Sequence, residues 1–183
     1  MNTIPNQADG TLALADLEAA LRLPDDIHQP ISKMVIIENT QNDCGGVPLS
    51  TQYCDAVGNF AQEHGLLLHL DGARIFNAAI RLKVQAADLT RSVDSVTFCL
   101  SKGLCAPVGS VLCGSKVFID KARRLRKMLG GGMRQAGVLA AAGLVALDSM
   151  IERLAEDHQR ARLLAEGLAE VPGLRLDKGT PYT

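Results

Sequence analysis

The stretch LLLHLDGARIFNAAIRL, residues 66–82, contains three successive patterns. Residues 66–70 are an apolar run with a single histidine, residues 71–74 are a polar turn with one glycine, and residues 75–82 have the apolar spacing of a helix. A strand, a turn and a helix in this order form the repeating unit of α/β proteins with a mostly parallel sheet. Open sheets of this kind bind their ligands in turns at the carboxyl ends of the strands. The stretch therefore predicts an α/β fold and a candidate site at residues 71–74.

The same alternation of apolar runs and helical periods continues on both sides of this stretch. We predict further strands at residues 34–38, 95–100 and 108–113, and helices at residues 11–23, 50–64, 115–130, 133–150 and 151–170. The run MVIIE, residues 34–38, is apolar without alternation, as is typical of a strand covered on both faces. Asp9 or Thr11 is expected to cap the first helix, Ser50 the second, and Gly65 to end the second in a left-handed conformation.

The composition is that of a globular domain, or of a large piece of one. Of the 183 residues, 47% are apolar and 21% are charged, which is the usual range for such a domain. No strand precedes the first predicted helix, and a last short run at residues 174–177 would be a strand without a following partner. We therefore expect a piece of a larger protein, with a mostly parallel sheet that is incomplete at both ends.

Charge and cysteine content argue against several classes of function. Lys and Arg total 19 against 20 for Asp and Glu, so no strong field would recruit nucleic acid or an anionic membrane. No apolar run is long enough to cross a bilayer, and we expect a cytoplasmic protein. The 5 cysteines show no CxxC pair, which argues against a disulfide framework or a zinc site and favours small buried apolar side chains.

Polar groups follow three successive predicted strands. Glu38 ends the first, Asp71 follows the second, and Lys102 follows the third. An acid and a lysine at neighbouring strand ends are what pyridoxal 5'-phosphate (PLP) chemistry requires, because the acid pairs with the ring nitrogen and the lysine with the aldehyde. Desolvation at such a site favours the neutral amine that forms the Schiff base. The pattern indicates Asp71 and Lys102 as cofactor-binding residues.

Each of these residues also has a plainer interpretation when it is taken alone. Asp71 could cap the following helix, Lys102 could be a surface lysine, and Arg74 could be an exposed residue of a first helical turn. Because a helix amino terminus disfavours a cation, the position of Arg74 hints at a bound anion. His69 and Asp71 are too few ligands for a metal site, and the glycines at 130–132 lack the Lys-Ser/Thr of a nucleotide-binding loop.

Four motifs in order make the pattern specific. Together they resemble the low-specificity L-threonine aldolases, PLP enzymes of the aspartate-aminotransferase-like fold, over residues 10–177. The motifs are IENT at residues 37–40, LHLDGARIFN at residues 68–77, LSKGLCAPVGS at residues 100–110 and RKMLGGGMRQ at residues 126–135.

The resemblance implies a role for each candidate residue. Lys102 would hold PLP as a Schiff base, and Asp71 would pair with the pyridinium nitrogen. Arg74 would contact the substrate carboxylate or the cofactor's phenolic oxygen, a task that suits a bidentate guanidinium. His28 matches a family histidine near the substrate hydroxyl, where it can help to remove the proton that starts cleavage; the plain alternative for His28 is a polar loop residue. No metal is implied.

The reaction implied is retro-aldol cleavage of L-threonine or L-allo-threonine to glycine and acetaldehyde. Residues 1–170 would belong to the PLP-binding large domain (type I), and residues 171–183 would begin a truncated small domain. The family's phosphate-binding turn has no counterpart here, so we expect the activity of this short chain by itself to be doubtful. The full-length protein is expected to be a homo-oligomer, a dimer or a tetramer, acting on a small amino acid without nucleic acid or membrane.

Two positions depart from the family pattern, and two other functions stay open. Gln41 stands where a histidine is common, and Cys105 stands where a glycine is common, close to Lys102. One alternative is another PLP enzyme of the same fold, either a β-eliminating lyase or an aminotransferase. The other is a non-catalytic fragment that acts only in assembly through its exposed apolar surface.

Overall fold

The computed structural model describes residues 2–22 and 25–176. The strands are β1 (Met34–Glu38), β2 (Leu67–Asp71), β3 (Ser95–Cys99) and β4 (Ser110–Gly114). The helices are α1 (Leu14–Ala19), α2 (Thr51–Glu63), α3 (Ile75–Leu82), α4 (Ala86–Thr90), α5 (Lys116–Met128), α6 (Gly137–Ser149) and α7 (Leu154–Ala169).

The strands form one sheet in the order β1-β2-β3-β4. The first three strands are parallel, and β4 runs antiparallel to β3. Because parallel strands end at the same edge of a sheet, Glu38, Asp71 and Cys99 all lie at that edge, and β4 begins there with Ser110 paired to Cys99. The α/β fold with a mostly parallel sheet is confirmed.

One face of the sheet carries the main core. Val35 and Ile37 of β1 and Leu68 and Leu70 of β2 are buried, each at 7% exposure or less, against apolar residues of α2, α3 and α4. Full burial of a side chain of this size stabilises the fold by about 1.5–3 kcal/mol. This face positions the strand ends that carry the candidate site.

The opposite face of β1 and β2 is partly open. Met34, Ile36 and Leu67 are 42%, 50% and 49% exposed. The expectation that the MVIIE strand is covered on both faces is therefore wrong for this chain. The alternate residues Val35 and Ile37 are buried in the core, whereas Met34 and Ile36 form a second apolar face that is partly exposed to solvent.

Two helices begin as the sequence predicts, each at a serine. The Ser50 hydroxyl accepts a hydrogen bond from Tyr53 N–H at the start of α2, and the Ser115 hydroxyl accepts one from Phe118 N–H at the start of α5. A capping oxygen of this kind satisfies a backbone donor that has no partner within the helix. Gly65 follows α2 with φ of 63°, so the left-handed residue predicted at that end is confirmed.

The first helix is shorter than the predicted residues 11–23, and its predicted cap is wrong. The backbone N–H of Leu12 donates to the Tyr53 hydroxyl and the carbonyl of Leu12 accepts from it, at 2.7 and 3.0 Å. These bonds to α2 keep residues 11–13 out of the helix, and Ala13 precedes α1 without a side-chain cap. Leu23 lies outside the described residues.

Three further elements differ from the sequence predictions. Helix α4 was not predicted; its capping box uses Gln85 and Asp88 in place of the more recognisable serine or threonine. Helix α6 begins four residues later than predicted, at Gly137, because Gln135 has a left-handed φ of 55° that a helix cannot contain. Residues 174–176 form no strand, and Asp177 lies outside the described residues.

The cysteines do not share one environment. Cys54 is buried on α2, and burial raises the pKa of its thiol to about 11. Cys44 and Cys99 are half-buried, whereas Cys105 and Cys113 are exposed, so the expectation of five buried apolar cysteines is wrong. Within the described ranges, no helix has the length and apolarity to cross a membrane.

Candidate active site

The candidate site lies where β1, β2 and β3 end. Glu38 is paired in register with Asp71, and Asp71 with Thr97, so these residues project from the same face of the sheet on neighbouring strands. The Cys99 N–H donates to the Ala73 carbonyl at 3.4 Å. This contact joins the turn after β2 to the end of β3 and brings two of the predicted motifs together.

Asp71 is half-buried as the last residue of β2. Its Oδ1 accepts a hydrogen bond from the Ala73 N–H at 3.0 Å. The plainer interpretation of Asp71 as the cap of the following helix is wrong, because α3 begins after Arg74 without a side-chain cap. Within the described part of the chain, Oδ2 has no hydrogen-bond partner. The carboxylate is oriented by its own turn and keeps one oxygen available to a ligand.

Glu38 is committed to its own loop. Its Oε2 accepts from Gln41 Nε2 at 3.2 Å and from Asn42 N–H at 3.3 Å, and Gln41 Oε1 accepts from Cys44 N–H at 2.8 Å. The substitution of glutamine for the common histidine at position 41 thus supports a loop hydrogen-bond network. Of the two neighbouring carboxylates, Glu38 accepts two hydrogen bonds from its own loop, both through Oε2, and Asp71 accepts one through Oδ1.

Arg74 is half-buried immediately before α3, at φ of −129°. The turn that carries it is tightly packed, because a Cβ on Gly72 would lie 2.8 Å from the Thr97 carbonyl oxygen and 3.1 Å from Val96 Cγ2. Only glycine therefore allows the turn to approach β3 this closely. The site therefore requires glycine at position 72, whereas the sequence indicated Gly72 only as a turn residue.

Lys102 lies in the segment of residues 100–109 that connects β3 to β4. The segment closes on itself, since the Leu100 N–H donates to the Gly109 carbonyl and the Ala106 N–H to the Leu100 carbonyl, at 2.9 and 3.0 Å. Lys102 is three residues beyond Cys99, a path of at most about 11 Å. It therefore lies near the same sheet edge as Asp71.

The lysine is exposed in this chain. The described residues therefore do not bury Lys102, so they do not provide the desolvation that the sequence predicted for it. Its carbonyl accepts the Cys105 N–H at 2.9 Å, and Cys105 has φ of 61°. We call residues 101–105 the lysine turn. The left-handed position explains why a glycine suits position 105.

A cavity of about 530 Å³ lies along β1 and is lined by residues from both faces of that strand and by α1 with the segment before it. Glu38 and Asp71 form part of its lining, together with Met34 and Ile36 of β1, while Lys102 and Arg74 do not line it. The cavity extends from Asp71 along β1 and away from the lysine turn. We therefore place the candidate site at the strand edge, with the cavity as an apolar space beside it.

His28 lies apart from this group. It is exposed in a turn between α1 and β1, where its N–H donates to Asp26 Oδ1 at 2.9 Å. The chain then enters β1 at Met34, the opposite end of that strand from Glu38. The structure thus brings Asp71, Arg74 and the lysine turn to one edge and does not place His28 with them.

The comparison with protein families decides the assignment. Residues 1–181 match the family described as beta-eliminating lyase. The chain belongs to this family. The solved threonine aldolase of Leishmania major has the same fold, with a TM-score of 0.76 and 26% identity over 96% of this chain and 52% of that one. The predicted PLP-transferase fold is thereby confirmed.

Curated relatives are similar over nearly all of this sequence. The probable low-specificity L-threonine aldolase 2 of Arabidopsis thaliana is 54% identical over 176 residues, which are 96% of this chain and 50% of the relative. The low specificity L-threonine aldolase of Escherichia coli (strain K12) is 48% identical over 163 residues, 89% of this chain and 48% of the relative. The chain spans about half the length of the curated relatives it matches, and the predicted family resemblance is confirmed.

Proposed function

We propose that this chain carries the lysine-bearing part of a PLP-dependent lyase that cleaves L-threonine and L-allo-threonine to glycine and acetaldehyde. The observation that carries the proposal is the hydrogen bond from Cys99 N–H to the Ala73 carbonyl. It joins the turn of Asp71 and Arg74 to the strand that leads into Lys102. The relatives that share these motifs are named L-threonine aldolases.

The groups at this edge fit PLP by their chemistry. Asp71 offers a carboxylate with Oδ1 fixed by the Ala73 N–H and Oδ2 free to accept a hydrogen bond from the protonated ring nitrogen. Lys102 offers an accessible primary amine for covalent attachment. When bound, PLP draws electrons away from the bond of the amino acid that breaks. Asp71 would maintain the protonated ring nitrogen on which that effect depends.

Arg74 and His28 complete the proposal on the substrate side. The Arg74 guanidinium, half-buried beside the turn of Asp71, would bind the substrate carboxylate in bidentate fashion. His28 would take the proton of the substrate hydroxyl as a general base. Because His28 is exposed in the turn of residues 25–30, its role requires that this turn close over the strand edge in the substrate complex.

The proposal extends to the surroundings of the whole protein. An amino acid is its small-molecule substrate, and the complete protein acts as a cytoplasmic homo-oligomer, a dimer or a tetramer. Exposed apolar side chains on α6, among them Val138 and Leu144 at 74% and 69% exposure, support such an assembly. Surfaces of this kind are usually covered by other protein.

The absorption spectrum during titration of the chain with PLP tests the proposal. We expect an imine band with the 183-residue chain and its loss with Lys102→Ala. Lys121→Ala, which removes an exposed lysine of α5, is the matched control and should keep the band. A band that survives Lys102→Ala at full intensity would contradict the assignment. Acetaldehyde release against keto-acid formation then separates threonine cleavage from transamination.

A further inference from the structure

The lysine turn rests on a small apolar cluster that is separate from the main core. Leu104 and Ala106 contribute to it from the segment around the turn, Ala146 from α6 and Leu154 from α7, and all four are buried at 7% exposure or less. The position of the turn therefore depends on how α6 and α7 are held against the rest of the chain.

The closest contacts are made at Gly103, the residue after the lysine. A Cβ at this position would lie 2.7 Å from Leu154 Cδ2 and 3.3 Å from Asn77 Oδ1. The backbone of the lysine turn thus packs closely against the side chains of Leu154 on α7 and Asn77 on α3. Neither contact could be inferred from the sequence, because Asn77 and Leu154 are distant from Gly103 along the chain.

Asn77 and His158 join these two helices. Asn77 Nδ2 lies 3.1 Å from His158 Nε2, in a pair of residues 81 positions apart. Asn77 is 7% exposed, and His158 is half-buried. Since the amide nitrogen can only donate, Nε2 accepts, and His158 is the neutral tautomer with its proton on Nδ1.

The surroundings of His158 favour that neutral form, chiefly through burial. Burial lowers the pKa of His158, Asp157 beside it on α7 raises the pKa, and Arg81 on α3 lowers it again. The net direction is downward from the usual value of 6.5. The hydrogen bond that requires an unprotonated Nε2 is therefore retained at neutral pH.

We infer that Asn77 and His158 are positioning residues for Lys102. Their hydrogen bond holds α7 against α3, and through Leu154 and Asn77 it fixes Gly103 and the turn that presents the lysine. Within the described part of the chain, neither side chain makes a hydrogen bond to the amine. The inference rests on the proposed function for its catalytic meaning, because it assigns the pair a task in presenting the lysine that this function uses.

Amide hydrogen exchange tests the inference without cofactor. The reporters are the N–H groups of Cys105 and Ala106, which close the lysine turn. Asn77→Leu and His158→Phe each remove one partner while keeping approximate shape. We expect both reporters to exchange about ten-fold faster or more, as the loss of a buried hydrogen bond predicts for a local opening. Amides within α2 should keep their rates.

His158→Gln supplies the rescue, because its side-chain oxygen can accept from Asn77 at the place of Nε2. We expect its reporter amides to exchange at close to the rate of the unchanged chain. His64→Phe at the end of α2 is the matched control, a second partly exposed histidine that is remote in sequence from the turn, and it should leave both reporters unchanged.

The second readout is the yield of PLP that borohydride reduction traps on Lys102. We expect this yield to fall in His158→Phe and to recover in His158→Gln. If the unchanged chain traps no PLP, the proposed function fails, and hydrogen exchange still decides the inference. Reporter rates that are unaltered in both Asn77→Leu and His158→Phe would overturn the inference. Equal acceleration in α2, or no recovery with glutamine, would also overturn it by indicating general destabilisation.

Discussion

Cys105 holds a left-handed backbone conformation, with φ of 61°, inside the lysine turn. This conformation costs a side-chain-bearing residue about 1–2 kcal/mol, whereas the added freedom of glycine in the unfolded chain costs about 0.4–1 kcal/mol. Cys105→Gly should therefore raise the free energy of unfolding by up to about 1.6 kcal/mol. Urea denaturation measures the change.

Cys105→Ala is the control for that substitution. It removes the thiol, whose Sγ makes a contact of 3.4 Å with the Gly103 carbonyl, and keeps the Cβ that the left-handed conformation disfavours. Little gain in stability is expected. An equal gain from alanine and glycine would show that the thiol, and not the backbone conformation, is the unfavourable element.

The positions of the candidate site residues were predictable where a local pattern fixes them. Asp71 ends β2, and Arg74 and Lys102 lie three residues beyond the ends of β2 and β3. The ends of parallel strands share one edge. The position of His28 was not predictable, since no local pattern states where the turn of residues 25–30 lies relative to the strand ends. The Asn77–His158 hydrogen bond could not be predicted from the sequence either, because only the packing of α7 on α3 brings the two residues together.

At the scale of elements, two glycines should respond to alanine with opposite signs. At Gly72 a new Cβ would meet the Thr97 carbonyl oxygen at 2.8 Å, so Gly72→Ala should separate the turn from β3 and destabilise the protein by about 1–3 kcal/mol. At Gly167 within α7 nothing lies within 4 Å, and Gly167→Ala should stabilise by about 0.5–1 kcal/mol. Thermal unfolding measures both, and a shift in the same direction would contradict the packing described.

The contact of α3 with α7 should make stability depend on pH. The pKa of His158 is lowered from 6.5 in the folded chain, chiefly by burial. As the pH falls below 6.5, the unfolded chain takes up this proton before the folded chain does, so this contribution to stability is present above 6.5 and is lost as the pH falls through the folded pKa. Urea unfolding between neutral and acidic pH measures the loss.

His158→Gln provides the comparison for the pH series. Glutamine does not titrate, so the variant should lose less free energy of unfolding than the unchanged chain over the same acidification. Identical pH profiles for the two proteins would show that His158 does not contribute in this way.

The elements themselves were predictable where local signals and tertiary packing agree. The apolar run of β1, the helical period of α3 and the capping serines of α2 and α5 gave their bounds to within a residue or two. The length of α1 was overestimated because the Tyr53 hydroxyl of α2 forms hydrogen bonds with the backbone of Leu12. The antiparallel direction of β4 was not predictable, since a run of apolar residues has no orientation.

At the scale of the whole molecule, α6 is apolar around its circumference but mostly exposed. Only Gly143 and Ala146 of this helix are buried, whereas Leu144 and Val145 are 69% and 61% exposed. An exposed surface of this kind favours association. Leu144→Lys should shift the sedimentation of the chain towards the monomer with little change in stability.

Ser149→Lys is the matched control, because it adds the same charge at the exposed end of α6 without removing apolar surface. It should leave the sedimentation profile unchanged. Equal effects of the two substitutions would attribute the association to net charge.

The central claim, that Lys102 is the lysine that holds PLP, is tested most directly by trapping. The chain is incubated with PLP, reduced with borohydride and digested, and the modified lysine is located by mass spectrometry. We predict that the label lies predominantly on Lys102 and that Asp71→Asn lowers its yield. A label distributed evenly over the exposed lysines, with no preference for Lys102, would contradict the claim.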